Sequence, residues 1–213
     1  MAIADDHVLF ASGIQMVIDA QPRLIFVGAA HDGQQAVELC RAKRPQIMLM
    51  DVRMPKLDGI SATKAILSEH LLPTKIIILT THQSENVAAA AIKAGAAGFL
   101  MKDSSPELLI SAIHAAAAGR TVITTSDRNN ELLDFTPDHS TRKSQIEPAL
   151  ESLSPRERDV FAYAANGHSI ADIARAAHLS ESTVKTHISN ILSKLGLASR
   201  LQLVAFAHSN HLV

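Results

Sequence analysis

The chain has 213 residues, of which 47% are hydrophobic, and its 20 basic and 21 acidic side chains nearly cancel. This length permits one large domain or two modest ones. The single cysteine, Cys40, excludes an internal disulfide bond and a zinc site built from several cysteines. Because the net charge does not indicate a nucleic-acid partner, any such function has to rest on the local placement of cations.

The sequence shows no signal peptide and no apolar stretch near the ~20 residues that a membrane span requires. We therefore expect a cytoplasmic protein. The 11 histidines are scattered along the chain, so we interpret most of them as solvated or helix-capping residues rather than metal ligands. Cys40 falls among the apolar residues of a helical pattern, which favours a reduced thiol in the core.

Short apolar runs alternate with amphipathic segments from residue 1 to about residue 118. The runs are Met1–Ala4, Leu24–Ala29, Gln46–Met50, Lys75–Leu79 and Ala97–Met101. The segments between them repeat apolar residues at helical spacing, and Gly95, Gly119 and Ser105-Pro106 mark helix ends. This alternation, joined by right-handed crossovers, predicts an α/β domain with a doubly wound, five-stranded parallel sheet and helices on both faces.

Acidic side chains follow two of the predicted strands, and a hydroxyl follows a third. Asp51 ends the run Gln46–Met50, Asp5-Asp6 follows the first run, and Thr80 follows the fourth. If these strands are parallel neighbours, the carboxylates converge on one crevice at the carboxyl edge of the sheet. Carboxylates so close together repel one another and stay ionised only if a cation holds them. The sequence therefore indicates a divalent metal site with an anion beside it.

From residue 119 to residue 150 the periodicity disappears, and the segment is polar and contains proline. It is typical of a linker, in which one short helix near Glu131–Phe135 is the element we predict. Order resumes where Ser154, Pro155 and Glu157 form a capping box at a helix start. We therefore assign residues 1–118 to the first domain, 119–150 to a linker and 151–213 to a second domain.

The second domain is short, and its apolar spacing predicts only helices. Gly167 ends the first helix, a tight turn at His178-Leu179 follows the second, and Ser180 caps the third. The third helix has a buried face of Val184, Ile188, Ile191 and Leu195, and an exposed face of Ser182, Lys185, Thr186, Ser189 and Asn190. Two short helices joined by a tight turn, with a polar outer face on the second, match a helix-turn-helix whose outer face enters the DNA major groove.

Residues 1–118 resemble the flavodoxin-like receiver domain of a bacterial two-component response regulator, and Leu153–Ala207 resembles a LuxR-type helix-turn-helix. Together they are similar to the NarL/FixJ class. The motifs that carry this resemblance are Ala4-Asp5-Asp6-His7, Met50-Asp51-Val52-Arg53-Met54-Pro55 with Asp58-Gly59, Leu79-Thr80-Thr81, Gly98-Phe99-Leu100-Met101-Lys102-Asp103, Leu153-Ser154-Pro155-Arg156-Glu157-Arg158, Ile170-Ala171-Asp172-Ile173-Ala174 and Ser180-Glu181-Ser182-Thr183-Val184-Lys185-Thr186-His187. Motifs in this order and spacing are specific, although each alone is weaker.

The resemblance implies a role for each residue of the crevice. Asp51 would be the phosphoacceptor, attacking the phosphoryl group of a phosphohistidine on a sensor histidine kinase. Mg²⁺ would be held by Asp5, Asp6, Asp51 and the backbone carbonyl of Arg53. Lys102 would stabilise the transferring phosphoryl group from the far side. Such a protein is not an enzyme beyond catalysing its own phosphorylation and dephosphorylation.

Further residues would sense the phosphoryl group. The hydroxyl of Thr80 would donate to it and pull the following loop inward, and the ring of Phe99 would repack. Many relatives carry Tyr where Phe99 stands, so burial of the ring alone would carry the switch here. Arg53 and His82 would flank the phosphoryl group, and we predict that they set its lifetime by controlling the approach of water.

On the DNA side, Lys185 is the best candidate for a contact with a guanine edge, and Thr186 shares its helix face. Thr183, His187 and Lys194 are better placed for phosphate contacts. Ser189 and Asn190 stand where some relatives present a further basic residue, so we expect strong binding only from a dimer. The last helix offers Leu201, Val204 and Ala205 as an apolar face for a homodimer on double-stranded DNA.

Two other functions fit part of the pattern. A phosphohydrolase of the haloacid dehalogenase type also uses a strand-end aspartate with Mg²⁺, but it needs a second acid two residues later, where this sequence has Arg53. A pseudo-receiver that binds a ligand or protein without phosphorylation is harder to exclude, although such proteins usually lose part of the acidic pocket.

Overall fold

The computed structural model describes residues 1–69, 73–81, 85–124, 132–135, 150–197, 199–210 and 212. By its internal contacts the chain divides into two compact units. The first comprises Met1–Gln83 and Ala94–Asp134, and the second comprises Ser84–Lys93 and Phe135–Val213. Among the described residues, no helix is both long enough and apolar enough to cross a membrane.

A sheet forms the centre of the first unit. Its strands are β1 Ala2–Ala4, β2 Gly28–Ala30, β3 Ile47–Asp51, β4 Lys75–Thr80, β5 Gly98–Met101, β6 Thr121–Thr124 and β7 Leu132–Phe135, in the spatial order β2-β1-β3-β4-β5-β6-β7. From β2 to β6 each neighbouring pair is parallel. Every residue of β3 is buried, as expected for a parallel strand with both faces covered. The predicted doubly wound parallel sheet is therefore confirmed.

The helices between the strands are α1 Val8–Asp19, α2 Gly33–Lys43, α3 Gly59–Ser68, α4 Glu85–Lys93 and α5 Pro106–Ala117, of which α4 is grouped with the second unit. Side-chain caps set several helix starts: Asp32 accepts from the Gln35 N–H, and Ser105 accepts from the Leu108 N–H. Cys40 is buried in α2, as predicted, and burial raises the pKa of its thiol to about 11.

The sheet differs from the prediction at two places. Strand β2 is Gly28–Ala30, so it includes only the last two residues of the run Leu24–Ala29, because its ladder with the three-residue β1 begins at the pair Ala2 and Gly28. At the other edge, two further strands lie within the range assigned to the linker. Strand β6 pairs with β5 through Gly98 and Val122, and its four β-branched residues fit a strand.

The short helix predicted near Glu131–Phe135 is wrong, because Leu132–Phe135 is strand β7. Strand β7 is the neighbour of β6 in the sheet, and backbone pairing with an existing strand overrides a weak local preference for helix. Glu131 itself lies outside the described residues.

Within the described part of the second unit, the further helices are α6 Pro155–Ala165, α7 Ile170–Ala177, α8 Glu181–Leu195 and α9 Arg200–Ser209. The capping box of Ser154 and Glu157 is present, and Ser180 accepts from the Thr183 N–H, as predicted. His178 ends α7 with φ of 53°, a left-handed conformation that turns the chain sharply into α8. Side chains of α6, α7, α8 and α9, including Val160, Ile173, Val184, Ile191 and Leu203, form one apolar core.

Candidate functional site

Two carboxylates meet at the carboxyl edge of the central strands in the first unit. Asp51 is the last residue of β3, and Asp5 directly follows the neighbouring strand β1. Asp5 is fully buried and Asp51 is 5% exposed, whereas Asp6 lies at the surface. One ligand atom from each of Asp5, Asp6, His7 and Asp51 lies within 4.8 Å of the others. The structure thus brings the predicted acids together as one cluster, which we call the acidic pocket.

Lys102 places one cation in the acidic pocket. Its Nζ lies 2.6 Å from Asp5 Oδ2 and 3.1 Å from Asp51 Oδ2, and 4.8 Å from the centroid of the Phe10 ring. Burial raises the pKa of Asp51 although Lys102 opposes that shift, and the charge on Asp5 adds to it. Among the ion pairs of the described residues, Asp5 and Asp51 share the ammonium of Lys102, so negative charge exceeds positive charge in this group. A further cation would therefore be stabilised there.

The loop after β3 closes the acidic pocket through backbone geometry. The Gly59 N–H donates to the carbonyl of Val52 at 2.9 Å, and a Cβ on Gly59 would overlap the carbonyl oxygen of Asp51. Lys56 Nζ also lies 2.6 Å from Asp32 Oδ2, which ties this loop to the start of α2. Glycine is required at position 59 because the loop must pass so close to the strand end.

The pocket's donor set suits a hard divalent cation. Asp5, Asp6 and Asp51 offer carboxylate oxygens, and the loop that carries the Arg53 carbonyl follows Asp51 directly. Mg²⁺ is normally held by one or two carboxylates together with other oxygen ligands and water. The partial exposure of Asp6 leaves room for water ligands. These residues therefore fit Mg²⁺.

Helix α8 presents one polar face in the second unit. Exposed residues that recur at helical spacing on this face are Ser182, Lys185, Thr186, Ser189, Asn190 and Ser193, and Glu181 and Lys194 near the two ends of the helix are exposed as well. Thr186 Oγ1 donates to the carbonyl of Ser182 at 3.1 Å. The hydroxyl hydrogen of Thr186 is therefore engaged within the helix. The face thus carries mainly small polar groups and the cation of Lys185.

Family models match both parts of the chain. Residues 1–114 match the response regulator receiver domain, and residues 151–207 match the luxR family of bacterial regulatory proteins. The chain belongs to the response regulators. It is a transcriptional response regulator with a receiver domain and a LuxR-type DNA-binding domain, as the sequence analysis predicted.

Individual relatives support this assignment over the full length. The uncharacterized transcriptional regulatory protein YxjL of Bacillus subtilis (strain 168) is 39% identical over 213 residues, covering 100% of this chain and 96% of YxjL. The nitrate/nitrite response regulator protein NarL of Escherichia coli (strain K12) is 34% identical, covering 99% of this chain and 95% of NarL. The solved receiver domain of NarL from Mycobacterium tuberculosis covers 56% of this chain and 95% of its own length, with 36% identity and a TM-score of 0.54.

Within this response regulator, the predicted switch residues lie near the same sheet edge. Thr80 is the buried last residue of β4, the strand beside β3. Phe99 lies on β5 and is 2% exposed, so its ring is already buried in this structure. Arg53 is exposed on the loop after Asp51. His82 lies outside the described residues.

The three residues predicted to contact DNA phosphates, Thr183, His187 and Lys194, differ from one another in their surroundings. The Thr183 hydroxyl lies 2.8 Å from that of Ser180 at the helix start, and His187 is half-buried. Lys194 donates to Glu157 Oε2 at 2.7 Å and to the Ser152 carbonyl at 3.0 Å. The ammonium of Lys194 is therefore engaged inside the domain rather than directed at a ligand.

The predicted dimerisation face of α9 is covered in this structure. Leu201, Val204 and Ala205 are all buried. Their apolar character agrees with the sequence prediction, but a second copy of the chain could reach them only after a rearrangement that exposes them.

Sequence reasoning missed His7. Its Nδ1 lies 2.8 Å from Asp6 Oδ1 and 3.5 Å from Asp5 Oδ1. The signal was available in the sequence, because His7 follows the two predicted acids directly. The scatter of the histidines along the chain conceals it, because a loop brings adjacent residues such as Asp6 and His7 together without any repeated pattern.

Proposed function

We propose that this protein works in the cytoplasm, where a sensor histidine kinase phosphorylates Asp51 and the phosphorylated regulator binds double-stranded DNA as a homodimer. The observation that carries this proposal is the acidic pocket, in which a buried aspartate at a strand end lies 3.1 Å from the ammonium of Lys102. The pseudo-receiver alternative expects part of the pocket to be lost, whereas Asp5, Asp6, Asp51 and Lys102 are all present and close together.

In the transfer, an Oδ atom of Asp51 attacks the phosphorus of a phosphohistidine, the bond from phosphorus to the imidazole nitrogen breaks, and an acyl phosphate forms. The ammonium of Lys102 would pair with the carboxylate before transfer and would stabilise the negative charge on the phosphoryl oxygens during and after it. Mg²⁺ held by Asp5, Asp6, Asp51 and the Arg53 carbonyl would neutralise charge on the transferring group. Burial of Asp51 excludes water, which strengthens each of these electrostatic interactions.

Thr80 and Phe99 would report the new group to the rest of the receiver domain. We infer that the Thr80 hydroxyl donates to a phosphoryl oxygen and that the loop after β4 moves inward, with Phe99 held beneath it. To invert a 1:99 equilibrium between inactive and active forms, phosphorylation must favour the active form by about 5.5 kcal/mol. Several charge-assisted hydrogen bonds to one phosphoryl group can supply that amount.

Arg53 and His82 would set the lifetime of the acyl phosphate by controlling the approach of water. The exposed position of Arg53, two residues after Asp51, supports this proposal for Arg53. Replacing either residue with alanine should change the rate of autodephosphorylation, measured as loss of the phosphorylated mass over time. An unchanged rate in both variants would remove this role.

The exposed face of α8 would read DNA in the major groove. Lys185 is proposed to contact the O6 or N7 atom of a guanine, and the methyl group of Thr186 a thymine methyl. Ser189 and Asn190 would complete the contact surface. Thr183 and His187 would contact phosphates, and Lys194 would do so only after leaving Glu157.

Dimerisation would supply the affinity that one weakly charged helix lacks. We propose that phosphorylation exposes Leu201, Val204 and Ala205 and that two copies pair through them on a two-fold site. Doubling the number of phosphate and base contacts raises affinity without adding charge to either copy.

This function is tested by DNA affinity with and without phosphorylation. Duplexes selected by the phosphorylated protein would be titrated by fluorescence anisotropy, with acetyl phosphate and Mg²⁺ as phosphodonor. Wild type should bind about 5- to 150-fold more tightly when phosphorylated. Asp51→Asn should not respond, and Lys185→Ala should be phosphorylated normally but bind about 1–3 kcal/mol more weakly. An equal response in Asp51→Asn would contradict the proposal.

A further inference from the structure

The imidazole of His7 has no structural task at the start of α1. His7 is the residue that precedes the helix, yet its side chain makes no capping hydrogen bond there. Its backbone N–H donates to Asp5 Oδ1 at 2.9 Å, which already orders the loop without the ring. The ring instead turns toward the acids, and the side chain is 73% exposed.

The position of the ring nitrogen matches that of a metal ligand. Two ligands at right angles, each about 2.1 Å from a metal ion, lie about 3 Å apart. His7 Nδ1 lies 2.8 Å from Asp6 Oδ1 and 3.5 Å from Asp5 Oδ1. One ligand atom each from these three residues and Asp51 lies within 4.8 Å of the others. A single ion could therefore take His7 and the carboxylates together.

We propose that His7 is a nitrogen ligand that makes the acidic pocket selective for first-row transition-metal ions over Mg²⁺. This inference rests on the metal site of the proposed function and adds a residue and a metal class to it. Mg²⁺ prefers oxygen ligands and gains little from an imidazole, whereas later first-row ions such as Co²⁺, Ni²⁺ and Zn²⁺ accept nitrogen readily. The exposure of the His7 ring leaves space for the water ligands that complete the shell.

His31 provides a matched control. It is a second histidine beside the pocket, and its Nδ1 lies 3.2 Å from the backbone carbonyl of Asp5. It is absent from the cluster whose ligand atoms lie together. Replacing His31 therefore removes an imidazole near the same loop without removing the proposed ligand.

The test measures binding of Co²⁺ and Mg²⁺ separately to the full chain, by calorimetry and, for Co²⁺, by visible absorption. Loss of a residue that orients a metal ligand typically lowers metal affinity about 10- to 100-fold, and loss of the ligand itself should lower it at least as much. His7→Ala should therefore weaken Co²⁺ binding about tenfold or more. Its Mg²⁺ affinity should stay within about twofold of wild type, and His31→Ala should match wild type for both ions. The Co²⁺ absorption bands should shift in His7→Ala only.

Equal losses of Co²⁺ and Mg²⁺ affinity in His7→Ala would show that His7 only orders the loop, and would overturn the inference. Unchanged affinity for both ions would overturn it as well. His7-dependent Co²⁺ binding in a protein that does not bind Mg²⁺ would uphold the role of His7 while contradicting the Mg²⁺ site of the proposed function.

Discussion

A lysine contacts a buried carboxylate in each unit of the molecule, and the two pairs behave in opposite ways. Lys102 Nζ lies 3.1 Å from Asp51 in the receiver domain, and Lys194 Nζ lies 2.7 Å from Glu157 in the DNA-binding domain. The pKa of Asp51 is raised, whereas the pKa of Glu157 is lowered to about 2. The two contacts are similar in length, so the surroundings of each carboxylate decide the direction of its pKa shift.

The surroundings differ in how strongly burial opposes the ionisation of each carboxylate. Glu157 accepts from Lys194 and from the Ser154 N–H at 2.7 Å, and these hydrogen bonds outweigh its desolvation. Asp51 ends a fully buried strand and shares Lys102 with Asp5, so desolvation dominates. The first arrangement stabilises a fold, whereas the second leaves a charge under-compensated and ready for a cation or a phosphoryl group.

The largest expected effect tests the backbone geometry that shapes the acidic pocket. Gly59→Ala should destabilise the receiver domain by about 3 kcal/mol or more, because its Cβ would overlap the Asp51 carbonyl and displace the loop. Urea unfolding followed by circular dichroism measures this loss. Gly13→Ala is the control: nothing lies within 4 Å of its Cβ, and alanine in the middle of α1 should add about 0.5–1 kcal/mol. Similar stabilities of the two variants would contradict the close approach.

A smaller effect tests the ion pair between Glu157 and Lys194. Glu157→Gln should cost about 1–3 kcal/mol at neutral pH, because the Lys194 ammonium loses its charged acceptor. In wild type the contribution of Glu157 is present above its ordinary pKa of 4.5 and is lost as the pH falls toward about 2. Tyr163 on α6 is the only tyrosine in a chain without tryptophan, so its fluorescence follows this domain. A difference between variant and wild type that does not shrink in acid would contradict this account.

Removing the charge of Asp51 from the acidic pocket should change stability in the opposite direction. Ionised Asp51 opposes folding at neutral pH because its folded-state pKa is raised; this opposition decreases once the pH falls below that raised pKa and is absent below the ordinary pKa of 3.8. Asp51→Asn should therefore stabilise the metal-free receiver domain at neutral pH by about 1 kcal/mol, while Lys102 keeps its contact with Asp5. Thermal unfolding in EDTA measures the gain. Adding Mg²⁺ should raise the melting temperature of wild type more than that of the variant. An Asp51→Asn variant that is less stable than wild type in EDTA would contradict the claim that desolvation of Asp51 outweighs its contact with Lys102.

The smallest effect concerns the reading face of α8. Thr186→Ser removes the methyl group and keeps the hydroxyl that bonds to Ser182, whereas Thr186→Val keeps a methyl group. Replacing the contacted thymine by uracil in a selected duplex should cost wild type and the valine variant about 0.8 kcal/mol and cost the serine variant almost nothing. Anisotropy titrations of wild type and the serine variant on the two duplexes give the coupling between the two methyl groups, and the valine variant serves as the control. A serine variant as sensitive to uracil as wild type would exclude this contact.

Residue periodicity predicted the parts of the molecule that depend on local chemistry. The apolar runs predicted the parallel strands. The residues that end or follow parallel strands lie together at the carboxyl ends of those strands, so Asp51 could be expected beside Asp5. The capping box of Ser154 and Glu157 could be predicted for the same reason, since its two residues are three positions apart.

Features that depend on distant partners could not be predicted in this way. Lys194 contacts Glu157, 37 residues earlier in the chain, so a lysine expected at DNA is engaged inside its own domain. Strand β6 forms because β5 offers an edge to pair with, and β7 follows beside it, although their segment is flanked by polar, linker-like residues. In both cases a long-range contact, rather than local pattern, determines the outcome.

The central claim is that Asp51 in the acidic pocket accepts a phosphoryl group. Its most direct test is the intact mass of the protein after incubation with acetyl phosphate and Mg²⁺, followed by peptide mapping. Wild type should gain one phosphoryl group on Asp51, the gain should disappear when EDTA removes the metal, and Asp51→Asn should gain none. A wild type that stays unmodified, or a variant that gains the same mass, would contradict the claim.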